Sequence, residues 1–371
     1  MRKPEQQWQT RRHRAIRQPT PPTWTDDPRA EAFVLEFADR VGWAELALTE
    51  QRVDAASRDD PDLVHAIACW LIARGQRRIA LSDDRGERVS DAPITPAELG
   101  VIALERPASR LVSLAPSNLE CIHALGGFDR VIACEDSSDF PEQVATLERL
   151  GPDLGPDLDR VAALAPDLVV ASLTVPGMER VVTGLRARGL ACVVLAPRSI
   201  ADMLDDLARL GRLLAVEARA AALIVELEQQ VAALARAAEA IGEPARVYLE
   251  WWPRPMFSPG AACYSNELIR LAGGVNVFGD RPGSSVEIGV NELLAAAPEV
   301  CFVSWCGVAA DKLDPHRLIE RPGLETLTAA REGHVHPLDE RFSGRPGPRM
   351  LEAARIMAAG IRRARALPCA R

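Results

Sequence analysis

Aromatic side chains make up only 5% of this 371-residue chain. Even so, Phe140, Trp251, Trp252, Phe257, Tyr264, Trp305 and Phe342 all fall on loops that follow expected strands. Rings set among a few neutral donors and acceptors suit the capture of a large, flat, mostly neutral ligand. Each also has a plain packing alternative. Trp251 and Trp252 are adjacent, so on a strand one points into the core and the other away, and ligand contact and packing stand even for both. Trp305 ends the apolar run EVCFVS, where core packing and exposure on a loop are both open. Tyr264 opens a helix and serves equally as a cap over an apolar patch. Arg345 and Arg349 can reach ligand amides or a phosphate, and Arg349, directly after Pro348, can equally hold a salt bridge.

Bond-making chemistry finds no such support. The chain lacks GxxxxGK[ST], HExxH, GxSxG and CxxC, and nothing identifies a nucleophile or a general base. His334 and His336 flank Val335 on an expected strand and would share a face, which is half a metal site, with only Asp339 and Glu340 near enough in sequence to extend it. No catalytic residue, no metal and no catalytic cofactor are expected.

Lys+Arg 44 against Asp+Glu 52 gives a formal charge of -8, and basic residues cluster only in the first eighteen positions, so a nucleic-acid surface is not expected. The hydrophobic fraction of 47% is spread without a long apolar block. The run from Val161 to Leu173 is broken by Pro166 and Asp167, far short of the roughly 20 residues that span a bilayer. MRKPEQQWQTRRHRAIRQ has no apolar h-region and no lipobox cysteine, so nothing in the chain as written exports it. The eight cysteines are scattered singly, which reads as buried free thiols in a reducing compartment.

The elements that must position these residues fall into five segments. Residues 1–28 read as a disordered arm with Pro19, Pro21, Pro22 and Pro28 and no periodicity. Residues 29–107 read as a small α+β unit with helices over Glu31–Val41 and Pro61–Arg74, a strand at Arg78–Leu81, a turn over Asp83–Arg88 and a capping box of Thr95 with Glu98. Over 108–215, RLVSL, RVIAC, DLVVAS and ACVVLA alternate with helices, as buried parallel strands do. An amphipathic helix over Ile200–Leu214 is followed by a long one over 216–241. This second helix carries Leu223, Ile224, Leu227, Val231 and Leu234 on one stripe and runs about 35 Å. Over 242–371 the alternation resumes with RVYLEWW, a helix from Ser265 to Leu271, EVCFVSW, HVHPL and a last helix from Pro348 to Arg363. The fold class is therefore α/β: two Rossmann-like lobes joined by one backbone helix, with a small N-terminal α+β domain and a ligand cleft between the lobes.

Across roughly 108–365 the chain resembles the helical-backbone substrate-binding proteins, and within them the cobalamin-binding proteins of ABC importers. The match runs through RLVSLAPSNLECIHALGGFDRVIACEDSSDFP, LDRVAALAPDLVVAS, YLEWWPRPMFSPGAACYSNELIRLAGGVNVFG and SGRPGPRMLEAARIMAAGI, in the family's order. The resemblance implies a corrinoid as ligand, held by Pro116, Ser117, Asn118, Asp139, Phe140, Trp251, Trp252, Phe257, Tyr264, Trp305, Phe342 and Arg345. It implies docking on an ABC permease through Asp159 and Glu292, a periplasmic location if the family role holds, and a monomer without membrane insertion. The family's tryptophan clamp positions fall near Asp153 and Ser285 here. Two alternatives remain open: a ferric-siderophore or haem binder of the same fold, and a cytoplasmic corrinoid-responsive sensor or interaction protein.

Overall fold

The structure, a computed structural model, describes residues 107–365 apart from Pro176 and Ala309, together with the backbone of three strands nearer the amino terminus. Those strands are β1 (Ala47–Thr49), β2 (Arg78–Ser82) and β3 (Arg88–Pro93), with β2 central, parallel to β1 and antiparallel to β3. The strand expected at Arg78–Leu81 is thus present as β2. The arm, the helices expected over Glu31–Val41 and Pro61–Arg74, the turn after Leu81 and the capping box of Thr95 and Glu98 lie outside the described residues.

The chain divides into two compact lobes. The first takes in Met1–Asn118, Asp129–Ser138 and Gln143–Ala196, the second Leu119–Phe128, Asp139–Glu142 and Pro197–Arg371.

In the first lobe, β4 (Leu111–Ser113), β5 (Val131–Cys134), β6 (Glu148–Arg149), β7 (Leu168–Ser172) and β8 (Cys192–Leu195) form one parallel sheet in the order β6-β5-β4-β7-β8. Four of these are the strands expected from β-branched runs, and their residues are buried almost throughout, as in parallel sheets generally. β6, two polar residues at the sheet edge, has no such signature. α1 (Pro116–Ala124) starts in this lobe and passes into the second at Leu119, while α2 (Leu158–Ala163) and α3 (Glu179–Ala187) belong to the first throughout. The chain winds from β4 outward to β5 and β6, then returns to the other side of β4 for β7 and β8. Connections therefore diverge between β4 and β7, the switch point at which open α/β sheets form a ligand crevice.

In the second lobe, Ser199 and Asp202 cap α4 (Ile200–Leu213) reciprocally, and α5 (Glu217–Glu239) follows. The stripe expected on α5 is the face turned inward: Leu227 is buried, and Leu223, Ile224, Val231 and Leu234 are half-buried. A parallel sheet in the order β12-β9-β14-β15 is built from β9 (Ala245–Glu250), β12 (Gly274–Asn276), β14 (Val300–Val303) and β15 (Val335–Pro337). It is backed by α6 (Ser265–Leu271) and α11 (Leu351–Ala364). The chain leaves β9 toward β12 and leaves β14 toward β15, so the switch point here lies between β9 and β14.

RVYLEWW, expected as one strand, is two. β9 ends at Glu250, and β10 (Trp252–Pro253) turns away to pair antiparallel with β11 (Met256–Pro259), which pairs in turn with β13 (Ser285–Ile288). Proline at 253 and 255 and the short β11 give this small sheet no alternation long enough to read. The expected Pro348 helix starts as a 3-10 turn, Pro348–Met350, before α11. Among the described residues no helix is long and apolar enough to cross a membrane.

Candidate ligand-binding site

At the first-lobe switch point, β4 runs into α1 through Pro116, Ser117 and Asn118. Pro116 is half-buried and the other two are buried. The Asn118 side-chain amide donates to the Val170 carbonyl of β7 at 3.1 Å, so this residue bridges the two diverging strands. Two apolar side chains not anticipated from sequence are exposed on loops after strands of this sheet: Leu154, 42% exposed, beyond β6, and Val175, 38% exposed, beyond β7. A leucine inside the Pro- and Gly-rich GPDLGPD was the available signal.

At the second-lobe switch point the strand ends are laced together. The Ser304 N–H donates to the Glu250 carbonyl at 2.8 Å, and the Cys306 N–H donates to the Trp251 carbonyl at 3.2 Å. Glu250 is fully buried and meets Arg321 in a two-pronged ion pair at 2.5 and 2.6 Å. The Trp305 indole donates to its Oε1 and the Tyr248 hydroxyl to its Oε2, both at 2.9 Å. Trp305, only 4% exposed, therefore belongs to the core of this lobe. Tyr264 is also buried and donates its hydroxyl to the Ser343 carbonyl at 2.9 Å.

The hairpin beyond β9 carries the exposed aromatic surface. Trp252, 45% exposed, stands directly across from Phe257 in the β10–β11 pair, so both rings rise from one face. Trp251 is half-buried, with its indole nitrogen enclosed and unpaired.

A second group gathers where the loop after Ser138, α1 and the segment around α10 (Glu340–Ser343) meet within the same lobe. Arg345, 8% exposed in its side chain, donates to Asp139, to Glu120 at 3.4 Å and to Glu340 at 3.1 Å. Arg349 pairs with Glu120 at 3.2 Å and lays its guanidinium 4.0 Å over the Phe140 ring and 5.1 Å over that of Phe342. His123 meets Phe140 edge-on at 5.3 Å. Arg341 pairs with Asp339. Burial pushes the Glu120 carboxyl from its ordinary 4.5 up to about 7, against the pull of Arg349 and Arg345. Its Oε2 has no partner. Sequence reasoning placed Arg345, Asp139, Phe140 and Phe342 among the contacts but left out Glu120, which meets Arg345 across 225 residues of chain, and Glu340, which meets it from five positions away.

This arrangement can stack flat apolar surface and offer neutral polar edges. Three of its arginines, Arg341, Arg345 and Arg349, are already matched by carboxylates. Among the described residues no group of three or more His, Cys, Asp or Glu is placed to hold a metal ion. His334 and His336 stand 6.5 Å apart, the first with Glu332 at 3.7 Å and the second tilted against Phe302. Of the expected docking carboxylates, Asp159 is 86% exposed and pairs with Arg188 at 2.7 Å. Glu292 accepts from the Gly289 N–H at 2.6 Å and pairs with Arg281 at 2.7 Å, and the two together hold its carboxyl below the usual range.

Comparison with known proteins gives a consistent picture. The family described as "Periplasmic binding protein" matches residues 111–342. The vitamin B12-binding protein of Vibrio cholerae is 26% identical over 260 residues, covering 70% of this chain and 90% of that protein. The solved structure of the periplasmic vitamin B12 binding protein of Vibrio cholerae superposes with a TM-score of 0.60 at 23% identity, over 70% of this chain and 98% of that one. A periplasmic heme-binding protein from Roseiflexus sp. RS-1 superposes with a TM-score of 0.62 at 23% identity, over 69% and 99%. The two structures share the fold.

Proposed function

We propose that this chain, which belongs to the periplasmic binding protein family, captures cobalamin or a related corrinoid and performs no chemistry on it. The observation that carries the reading is the charge state of the aromatic surface. Trp252 presents an open ring beside the half-buried Phe257, while Arg341, Arg345 and Arg349 are each engaged by carboxylates. A corrin is a broad apolar face rimmed with neutral amides, and such a ligand needs rings and dipoles in place of free cations. The relatedness to vitamin B12-binding proteins supports the same ligand class.

Phe140, Trp251, Trp252, Phe257 and Phe342 are the proposed ring contacts. Pro116, Ser117 and Asn118 shape the first-lobe crevice, and Asp139 with Arg345 supplies polar contacts to the ligand's amides. Tyr264 and Trp305 act from behind, as the packed support of the exposed rings. The proposed setting is ABC-type uptake in the periplasm, with Asp159 and Glu292 as the carboxylates offered to a permease.

The deciding experiment is titration of the purified chain with cyanocobalamin and with cobinamide, read by tryptophan quenching and by calorimetry. Saturable binding tighter than about 10 μM, roughly -7 kcal/mol, is expected with either ligand. Absence of heat and quenching with both, alongside binding of haem or a ferric hydroxamate, would replace the corrinoid with one of those chelates.

A further inference from the structure

We infer that Glu250 and Arg321 are positioning residues for the aromatic surface, a role that rests on the corrinoid reading of the same site. Neither presents itself to a ligand: Glu250 is fully buried, and the Arg321 side chain is 10% exposed. What they control is the place where three segments meet. β9 brings Tyr248 and Glu250, the segment after β14 brings Trp305, and the turn before the 3-10 segment Leu324–Thr326 brings Arg321.

A carboxylate offers about four acceptor sites. Both Arg321 nitrogens, the Trp305 indole and the Tyr248 hydroxyl take them up, two donors on each oxygen. With every lone pair committed, the carboxylate has one orientation, and the Trp305 ring has one as well. The backbone carries this further, because the Ser304 and Cys306 N–H groups donate to the carbonyls of Glu250 and Trp251. Trp251 is thereby held at the point where the chain turns into the hairpin bearing Trp252 and Phe257.

The chemical choice argues for orientation over cohesion. A well-packed apolar pair of similar volume usually stabilises a core at least as much as a buried ion pair, whereas a two-pronged guanidinium–carboxylate contact admits only one geometry. Here that contact sits at the carboxyl ends of β9 and β14, the switch point where geometry matters for a ligand.

The test uses the full chain labelled with 5-fluorotryptophan, comparing wild type with Arg321→Lys and Arg321→Met. Trp251→Phe and Trp305→Phe assign the two relevant fluorine resonances. Arg321→Lys keeps the charge and loses the second prong, and serves if Arg321→Met does not fold. The expected result is displacement of the Trp251 and Trp305 resonances in the ligand-free variants, with the cyanocobalamin Kd at least tenfold weaker when each protein is measured at a fixed interval below its own Tm. Unmoved resonances, or a Kd within twofold of wild type, would overturn the inference. Should the wild type bind no corrinoid, the functional reading fails by itself, and the ligand-free resonances still decide whether Arg321 orients the two tryptophans.

Discussion

Trp252 stands directly opposite Phe257 across a two-strand turn, its indole N–H closing onto the Arg254 carbonyl at 3.1 Å. This pairing puts two rings on one face of a hairpin whose core-side neighbours, Met256 and Ser258, are buried. Trp252→Ala should therefore weaken cyanocobalamin binding by roughly 10- to 100-fold, about 1.4–2.8 kcal/mol. Its Tm should stay close to wild type, because the ring is nearly half exposed. Calorimetric titration beside a thermal melt checks both. Unchanged affinity would remove Trp252 from the site.

Glu120 makes the second lobe sensitive to pH in a definite direction. Its carboxyl is raised from 4.5 to about 7 by burial, so between those values the native state keeps a proton that the unfolded state has released. Native stability thus falls as pH rises through that window, and the loss is complete above about pH 7. The size implied is about 3 kcal/mol. Burial also raises Glu135 and Glu340, so the measurement is a comparison: urea unfolding at pH 5 and pH 7.5 for wild type and Glu120→Gln, with the variant expected to lose less on going to the higher pH.

Arg345→Met should be among the most damaging single changes in the second lobe. It strips the buried cation from Asp139, Glu120 and Glu340 together, and leaving such charges uncompensated costs about 3–5 kcal/mol. A Tm within a degree or two of wild type would show that the carboxylates find other partners.

Cys306 is the exposed cysteine among the described residues, the other five there being buried. Although the residue is exposed, desolvation around its sulfur and then the nearby Glu340 carboxylate push the thiol up to about 11. At pH 8 its thiolate fraction is then about two orders of magnitude below that of an ordinary thiol. Alkylation by iodoacetamide, followed peptide by peptide, should be correspondingly slow until the chain is unfolded.

Elements whose residues are apolar on both faces were legible without coordinates. LVVAS and CVVL read as buried strands, and the amphipathic spacing over Ile200–Leu214 announces α4. The two-residue strands were not legible: β6 and β10 exist because a neighbour pairs with them, and Glu148–Arg149 or Trp252–Pro253 has no pattern of its own. The site divides in the same way. Rings on loops after strands stand out in a chain poor in rings, but which ring is open and which enclosed depends on the break at Trp251, a tertiary event. Trp305 shows this well, since its indole is claimed by a glutamate 55 positions away. Glu120 and Arg345 lie 225 positions apart, and no window along the chain could join them.

That separation has a meaning in time. A ribosome adds about 5–20 residues per second, so Glu120 emerges roughly 11–45 s before the Arg345 it bonds to. During synthesis the strands and helices of the first lobe can close long before the chain reaches Arg345. The second lobe cannot, because Leu119–Phe128 and Asp139–Glu142 belong to it and must wait for the last quarter of the chain to arrive.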